Sequence, residues 1–450
     1  VSREQSGWRE QYQSVFASAE IGYKGAYYLT LTGRNDWPSQ LAGPQSVSSS
    51  FFYPSIGASV VLSQLIPNMP ENLSYVKLRG SWASVGLPFA RFLANPVYVW
   101  DADNKVWKTE TNYPFYDLKP ERTDSWEVGL TMRFLKHFNL DASYYNTKTY
   151  NQTFDPQISV SSGYSTLYVQ TGSVRNRGVE LALGYDNNWG KFSWSSNFTF
   201  SANQNRILEL VDNYRHPETG QLITKDRLDV GGLNQAHFIL KKGGSLGDLY
   251  SIIDLKRDAN GHVYVDENNQ IYTVSENLDD IKLGSVFPKA NMAWRNDFRY
   301  GNFRFGFMVS ARLGGIVYSA TQAQLDYYGV SEDSAIARDA GGVAINGGSL
   351  LPAYNWYEVV GGKSIPQYYT YSATNVRLQE ASIGYTIPKK KLGNVCEITL
   401  SLVGRNLWMI YNKAPFDPEA VATTGNYYQG IDYFMMPSTR NIGFNLRLKF

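Results

Sequence analysis

Aromatic side chains are concentrated in the long polar segments of the chain, and they are the residues best suited to contact a ligand. The 450 residues include 33 Tyr, 22 Phe and 11 Trp. A ring offers a flat apolar face, and Tyr and Trp add a hydrogen-bonding group, so these rings suit sugar rings or peptide side chains. The candidate substrate-binding residues are Trp100, Trp107, Tyr113, Tyr164, Tyr168, Trp356, Tyr357, Tyr427 and Tyr428. For each ring, packing of one loop against another is the open alternative.

Segment 254–267 partly matches a calcium-binding loop. The third, fifth, sixth and twelfth places are Asp258, Asn260, Gly261 and Glu267, as in an EF-hand. Lys256 stands at the first place, where a carboxylate is required. The preferred interpretation is therefore a hairpin with an Asn-Gly turn, and no metal site is predicted.

The sequence carries no recognisable catalytic constellation. None of the four histidines, His137, His216, His237 and His262, neighbours a Ser or Cys motif that would pair a nucleophile with a base. Cys396 is the single cysteine, so the sequence excludes an internal disulfide. The prediction is no catalytic residue, no cofactor and no enzymatic activity. A formal net charge of +2 also argues against a nucleic-acid partner.

Strands must position the aromatic residues. Apolar and polar residues alternate with a period of two in thirteen segments, and no stretch reaches the roughly 18 to 20 apolar residues of a membrane helix. Tight turns join the strands in pairs, and long polar segments connect one pair to the next. The predicted strands lie at about 10–23 and 26–36, 51–63 and 73–86, 123–135 and 137–150, 179–186 and 192–200, 289–299 and 303–312, 375–387 and 394–406, and 441–450.

The last strand, 441–450, has Ile, Phe, Leu, Leu and Phe on one face and Asn, Gly, Asn, Arg and Lys on the other. A membrane barrel turns its apolar face to lipid and its polar face to the lumen; a surface strand of a soluble sandwich has the same period. The sorting of connections into tight and long ones favours an all-β, antiparallel transmembrane β-barrel. The long connections are expected outside the cell, at about 37–50, 87–122, 151–173, 204–286, 314–374 and 407–436.

Several stretches resemble one family in their order and spacing. They are YYLTLTGRND at 27–36, FYPSIGASV at 52–60, VKLRGSWA at 76–83, LKPERT at 118–123, WEVGL at 126–130, VRNRGVEL at 174–181, VRLQEASIGYTIP at 376–388, GRNL at 404–407 and DPE at 417–419, followed by the terminal strand. The chain resembles the C-terminal part of the SusC-like (SusC/RagA) TonB-linked outer-membrane transporters of Bacteroidetes.

The resemblance implies a 22-stranded barrel with a plug in its lumen. Residues 1–450 would supply about thirteen C-terminal strands, an odd number where bacterial barrels have even ones, and the plug and N-terminal strands would lie outside this sequence. It further implies an integral protein of the outer membrane of a Gram-negative bacterium. The implied function is TonB-dependent import of an oligosaccharide or oligopeptide.

The implied partners are a SusD-like surface lipoprotein, TonB acting through the missing N-terminal part, the remaining barrel and plug, and membrane lipid. A dimer of SusC–SusD pairs is one implied assembly. The alternative function is a non-transporting barrel that serves as a scaffold or docking protein in an outer-membrane assembly. An intact plug and TonB-contacting segment would favour transport, and their loss would favour the scaffold.

Overall fold

One large antiparallel sheet dominates the computed structural model. The structure describes residues 7–44, 46–93, 99–101, 104–108, 118–154, 169–215, 220, 222–276, 280–423, 425 and 428–450. Thirteen strands pair in the order of the chain: β1 (Tyr12–Tyr23), β2 (Tyr27–Pro38), β3 (Phe51–Val61), β4 (Leu73–Leu87), β5 (Glu121–Phe134), β6 (Phe138–Phe154), β7 (Val169–Trp189), β8 (Phe192–Glu209), β9 (Ala290–Tyr300), β10 (Phe303–Leu313), β11 (Asn375–Ile387), β12 (Glu397–Asn412) and β13 (Asn441–Lys449). All thirteen strands expected from the alternating pattern are therefore present.

The strand ends differ from the prediction where the alternating pattern fades. β7 begins at Val169 and β8 continues to Glu209, so both extend into segments that the sequence assigns to long loops. The polar run around 201–206 hides the period of two. Backbone pairing continues there regardless, because ladder hydrogen bonds do not require an apolar face.

Short turns with left-handed residues close the hairpins. In the turn between β1 and β2, Lys24 has φ 52° and Gly25 has φ 62°. A turn with two such residues has a twist that matches the twist of the flanking strands. The turn between β5 and β6 places Leu135 and Lys136 in the same region, at φ 50° and 63°. Glycine is the ordinary residue at such positions, so the second turn is harder to recognise from sequence.

Backbone contacts divide the chain into two compact units. The first comprises 1–181, 204–228 and 241–244, and the second comprises 182–203, 229–240 and 245–450. In the first unit, Leu41, Phe51, Phe89 and Leu118 form a small buried cluster. The second unit contains a much larger apolar core, which is built mainly from its connecting segments rather than from the long strands.

The long connections contain regular structure of their own. The helices are α1 (Ala320–Tyr327), α2 (Glu332–Asp339) and α3 (Ala353–Val360), with 3-10 turns at Ser39–Leu41, Leu62–Gln64, Pro366–Tyr368 and Lys389–Leu392. The short strands are Val99–Asp101, Val106–Lys108, Val211–Arg215, Leu222–Lys225, Arg227–Leu233, Ala236–Lys241, Asp248–Ser251, Asp254–Leu255, Thr273–Val274, Ile281–Ser285, Ile316–Ser319, Val343–Ile345, Ser349–Leu351, Thr370–Ser372 and Ile431–Asp432. None of the described helices is long and apolar enough to cross a membrane.

Segment 314–374 is predicted from the sequence as a long connection, and the structure adds three helices within it. Ser319 accepts a hydrogen bond from the backbone N–H of Gln322 at 2.9 Å, and Ser331 accepts one from that of Ser334 at 3.0 Å. These are ordinary N-caps. Each helix has only eight residues, and a helix of that length depends on packing for its stability.

Candidate functional site

Trp100 and Trp107 form an exposed aromatic pair in the first unit. They lie opposite each other in the hairpin of strands Val99–Asp101 and Val106–Lys108. The ring centroids are 5.3 Å apart and the planes meet at 63°. Both side chains are substantially exposed, so the hairpin presents ring faces that a ligand can contact.

Trp356 and Tyr357 lie next to each other on α3 but differ in accessibility. Trp356 is only 8% exposed, and its ring packs edge-on against Tyr368 with the centroids 5.3 Å apart. Tyr357 is partly buried against the same core. Burial and then the nearby carboxylates of Asp326 and Asp333 raise the pKa of Tyr357 to about 12. For Trp356 the structure supports the packing alternative.

Tyr428 is the remaining candidate that the structure describes. Its side chain is 43% exposed, and its ring meets Phe238 edge-on with the centroids 6.1 Å apart. Tyr113, Tyr164, Tyr168 and Tyr427 lie outside the described residues. The candidate set therefore contains accessible rings at Trp100, Trp107 and Tyr428, and it contains Trp356 as a core residue.

A buried carboxyl group in the second unit, which no sequence motif marks, anchors the helical connection. Asp326, near the end of α1, accepts hydrogen bonds from the Tyr369 hydroxyl at 3.0 Å and from Gln322 Nε2 at 3.1 Å. Among the residues that the structure describes, no cation forms a salt bridge with Asp326, and burial raises the pKa of Asp326. Burial and the neighbouring Asp326 raise the pKa of Tyr369 as well.

A buried ion cluster fastens another connection to the sheet. Arg377 on β11 donates two hydrogen bonds to Asp417, at 2.8 and 3.1 Å, and its Nη2 lies 3.1 Å from Glu419. Burial alone would raise the pKa of Asp417, but hydrogen bonds from Arg377 and from the backbone N–H of Glu419 outweigh it and lower the pKa. The DPE stretch at 417–419 therefore has a structural role that no local pattern reveals.

The segment 254–267 forms a hairpin, as the preferred interpretation of the sequence has it. Arg257 pairs with Val263 in an antiparallel bridge. Asp258 Oδ1 accepts hydrogen bonds from the backbone N–H groups of Asn260 and His262, at 2.8 and 3.0 Å. Lys256 Nζ lies 4.4 Å from the centre of the Tyr264 ring. Within the described ranges, no three His, Cys, Asp or Glu residues are grouped so that they could hold a metal ion.

The thirteen-stranded antiparallel sheet is typical of large β-barrel proteins. Comparisons with known proteins identify the family. The family model described as "TonB dependent receptor-like, beta-barrel" matches residues 2–407, and the chain belongs to this family. TonB-dependent receptor P3 of Formosa agariphila is 25% identical over 476 residues, with 97% of this chain and 45% of P3 covered. TonB-dependent receptor P26 of the same organism is 26% identical over 469 residues, with 98% and 46% covered.

Solved structures share the fold. The RagAB peptide importer in its open-open state superposes with a TM-score of 0.73 at 16% identity, covering 98% of this chain and 47% of that chain. Its closed-closed state gives a TM-score of 0.72 at 16% identity, with 98% and 48% covered. The chain thus spans about half the length of these relatives.

These comparisons confirm several predictions from the sequence. The fold is that of a TonB-dependent receptor β-barrel, and the resemblance to the SusC/RagA group holds. The protein is integral to the outer membrane. The relatives P3 and P26 are TonB-dependent receptors and RagAB is a peptide importer, so none of these relatives is an enzyme.

Proposed function

We propose that this chain is the C-terminal part of a TonB-dependent importer that takes up an oligosaccharide or oligopeptide across the outer membrane. The observation that carries the proposal is the family match over residues 2–407. The plug, the remaining strands and the contact with TonB would come from the portion that the relatives carry beyond the matched half. TonB would supply the energy by acting on that portion.

A SusD-like surface lipoprotein is the proposed partner at the outer face. The support is the superposition on the RagAB peptide importer. The long connections of the second unit suit such a partner, because their apolar core makes them a preformed surface rather than loose loops. A dimer of such pairs is the proposed larger assembly.

The proposed substrate contacts are the accessible rings at Trp100, Trp107 and Tyr428 and the partly buried ring of Tyr357, with Tyr113, Tyr164, Tyr168 and Tyr427 as further candidates. Trp356 would belong to the core against which Tyr357 packs. Rings of this kind stack on sugar faces and on peptide side chains alike, so they do not separate the two substrate classes. RagAB transports peptides, but the substrate class of this chain stays open between oligosaccharide and oligopeptide.

The substrate class can be read from what the complete barrel retains. The complete protein and its partner would be purified in mild detergent, and the material released on denaturation would be examined by mass spectrometry. A ladder of hexose masses supports an oligosaccharide, and a mixed peptide spectrum supports an oligopeptide. Release of neither class from a folded complex would count against the importer.

The aromatic hairpin provides a more local test. Trp100→Ala combined with Trp107→Ala should weaken substrate binding by roughly 1 to 3 kcal/mol, since each lost ring removes apolar contact area. The matched control is Val106→Ala in the same hairpin, which removes an exposed aliphatic side chain. Binding of the recovered substrate would be measured by calorimetry. Equal affinities for the double variant and the control would remove the hairpin from the site.

A further inference from the structure

The outward surface of the second unit contains an apolar groove. Its volume is about 350 Å³. The large apolar side chains that line it are Phe303, Ile383, Tyr385, Leu400, Leu402 and Phe444. The large apolar members alternate with polar residues along β10 to β13, so they share the face that a membrane barrel turns to lipid.

The strand register explains the shape of the groove. Ile383 pairs with Leu402, and Leu402 pairs with Phe444, which makes one row across three strands. Tyr385 pairs with both Phe303 and Leu400 in the row nearer the turn, and the rings of Phe303 and Tyr385 lie 4.8 Å apart. Side chains of unequal size in neighbouring rows leave a recess between them.

A run of three lysines lies at the end of the same two strands. Lys389, Lys390 and Lys391 occupy the 3-10 turn Lys389–Leu392, which joins β11 to β12, and all three are exposed. Within the described ranges, none of the salt bridges of the second unit includes one of these three lysines. Three adjacent ammonium groups repel one another, and an anion in their midst relieves that repulsion.

The distance between the lysines and the groove is shorter than the thickness of one lipid leaflet. Lys389 follows Tyr385 by four positions, which is about 13 Å along an extended chain. With a strand tilt of roughly 45°, the groove lies about 9 Å from the turn along the membrane normal. Half of a hydrocarbon core of about 30 Å is about 15 Å. The groove therefore lies within the leaflet nearest the turn, and short turns of bacterial barrels face the periplasm.

We infer that the groove and the lysine turn together bind an anionic phospholipid of the periplasmic leaflet. Its acyl chain occupies the recess between Phe303, Leu402 and Phe444, and the lysines of the turn hold its phosphate group. Basic clusters at a membrane surface attract anionic headgroups in this way. The inference rests on the outer-membrane location and is independent of the proposed transport function.

A second recess in the first unit provides an internal comparison. It has a volume of about 450 Å³ on β1 to β4 and is lined in part by Ile21, Tyr23, Tyr27 and Val60. The turn beside it carries only Lys24. Arg79 also lines this recess, but its guanidinium is paired with Asp141 at 2.9 Å. This recess can accept an acyl chain, but it has no run of adjacent lysines in the turn beside it to select an anionic headgroup.

The test measures lipid retention by the complete protein. The protein would be placed in nanodiscs of phosphatidylethanolamine with a minor fraction of phosphatidylglycerol, then released and analysed by native mass spectrometry. We expect retained phosphatidylglycerol to be enriched roughly tenfold over its bulk fraction. The triple variant Lys389→Gln, Lys390→Gln, Lys391→Gln should lose this enrichment, and Lys24→Gln, Lys136→Gln, Lys191→Gln, which removes three lysines from three other turns, should keep it.

Two further measurements keep the result interpretable. Leu400→Trp fills the groove without altering charge and should also reduce retention, while far-UV circular dichroism checks that each variant is folded. Enrichment that survives in the lysine variant, or that is equal in both lysine variants, overturns the site. Displacement of the lipid by inorganic phosphate alone would assign the turn to a free anion, and retention of lipopolysaccharide in place of phospholipid would also overturn the proposal.

Discussion

The sheet and the long connections of the second unit use large apolar residues in opposite ways. On β13, Phe444 is 84% exposed, as expected for a face whose solvent is hydrocarbon. In the connections, Trp356 and Tyr369 are buried among other side chains of the same loops. The sheet thus relies on lipid to cover its apolar surface, and the connections cover theirs as a water-soluble domain does.

The difference shows why aromatic content alone does not locate a substrate site. A ring in this chain can serve the lipid face, the core of a connection or an exposed binding surface. Only its neighbours decide which role it has. Trp100 is therefore a candidate for substrate contact, whereas Trp356 is a core residue. Substitutions at rings of each kind, and at the polar groups that hold the connections, test this contrast.

Removing a ring from the loop core should be far more costly than removing one from the lipid face. Trp356→Ala should destabilise the helical connection by roughly 3 to 5 kcal/mol, because it loses burial and leaves a cavity. Phe444→Ala should change stability by much less, because lipid can fill the space. Local unfolding free energies from hydrogen exchange of the complete protein would measure both. Comparable losses at the two positions would contradict the contrast.

Breaking the buried ion cluster should release the connection that carries the DPE stretch. Arg377→Met leaves the Asp417 carboxylate buried and without its partner, which should cost roughly 3 to 5 kcal/mol. Adding Asp417→Leu should recover much of that loss, since the unpaired charge is then gone. Hydrogen exchange of residues 413–423 reports the effect. A double variant as unstable as the single one would mean that the cluster acts mainly through its hydrogen bonds to other groups.

The buried Asp326 should make the helical connection sensitive to pH. Because burial raises the folded-state pKa of Asp326, the folded chain holds this proton more tightly than the unfolded chain, whose carboxyl has a pKa of about 3.9. The resulting stability is fully present below that value and is lost as the pH rises through the folded pKa.

Asp326→Asn should remove this pH dependence and raise stability near neutral pH. Limited proteolysis of the connection at a series of pH values would follow it, with Asp339→Asn on the exposed end of α2 as the control. Parallel pH profiles for wild type and Asp326→Asn would show that folding does not shift the pKa of Asp326.

Much of the sheet could be predicted from sequence because one signal dominates it. The alternation along 441–450 or 375–387 reports strand, face and membrane contact together. The contact between Arg377 and Asp417 could not be predicted, because forty residues separate the two and neither has a local pattern. The helices α1 and α2 had a usable signal in their caps, Ser319 and Ser331, but eight-residue helices give too short a period to recognise.

The sequence names candidate rings for the site, but it does not show which of them are accessible. Trp100 and Trp107 could be named from composition, and their pairing follows from a short hairpin. The burial of Trp356 depends on partners such as Tyr368 and Val360 that come together only in the folded connection. Sequence reveals which residues could bind a ligand, and tertiary packing determines which of them are free to do so.

Uptake by living cells shows whether the complete protein imports its substrate in a TonB-dependent way. Cells that carry the complete protein and its partner would receive the labelled substrate recovered from the barrel, with TonB either active or deleted. If the chain belongs to an importer, the labelled substrate accumulates inside the cells only when TonB is active. Binding at the cell surface that is equal in both strains, with no accumulation in either, would contradict import and favour a scaffold.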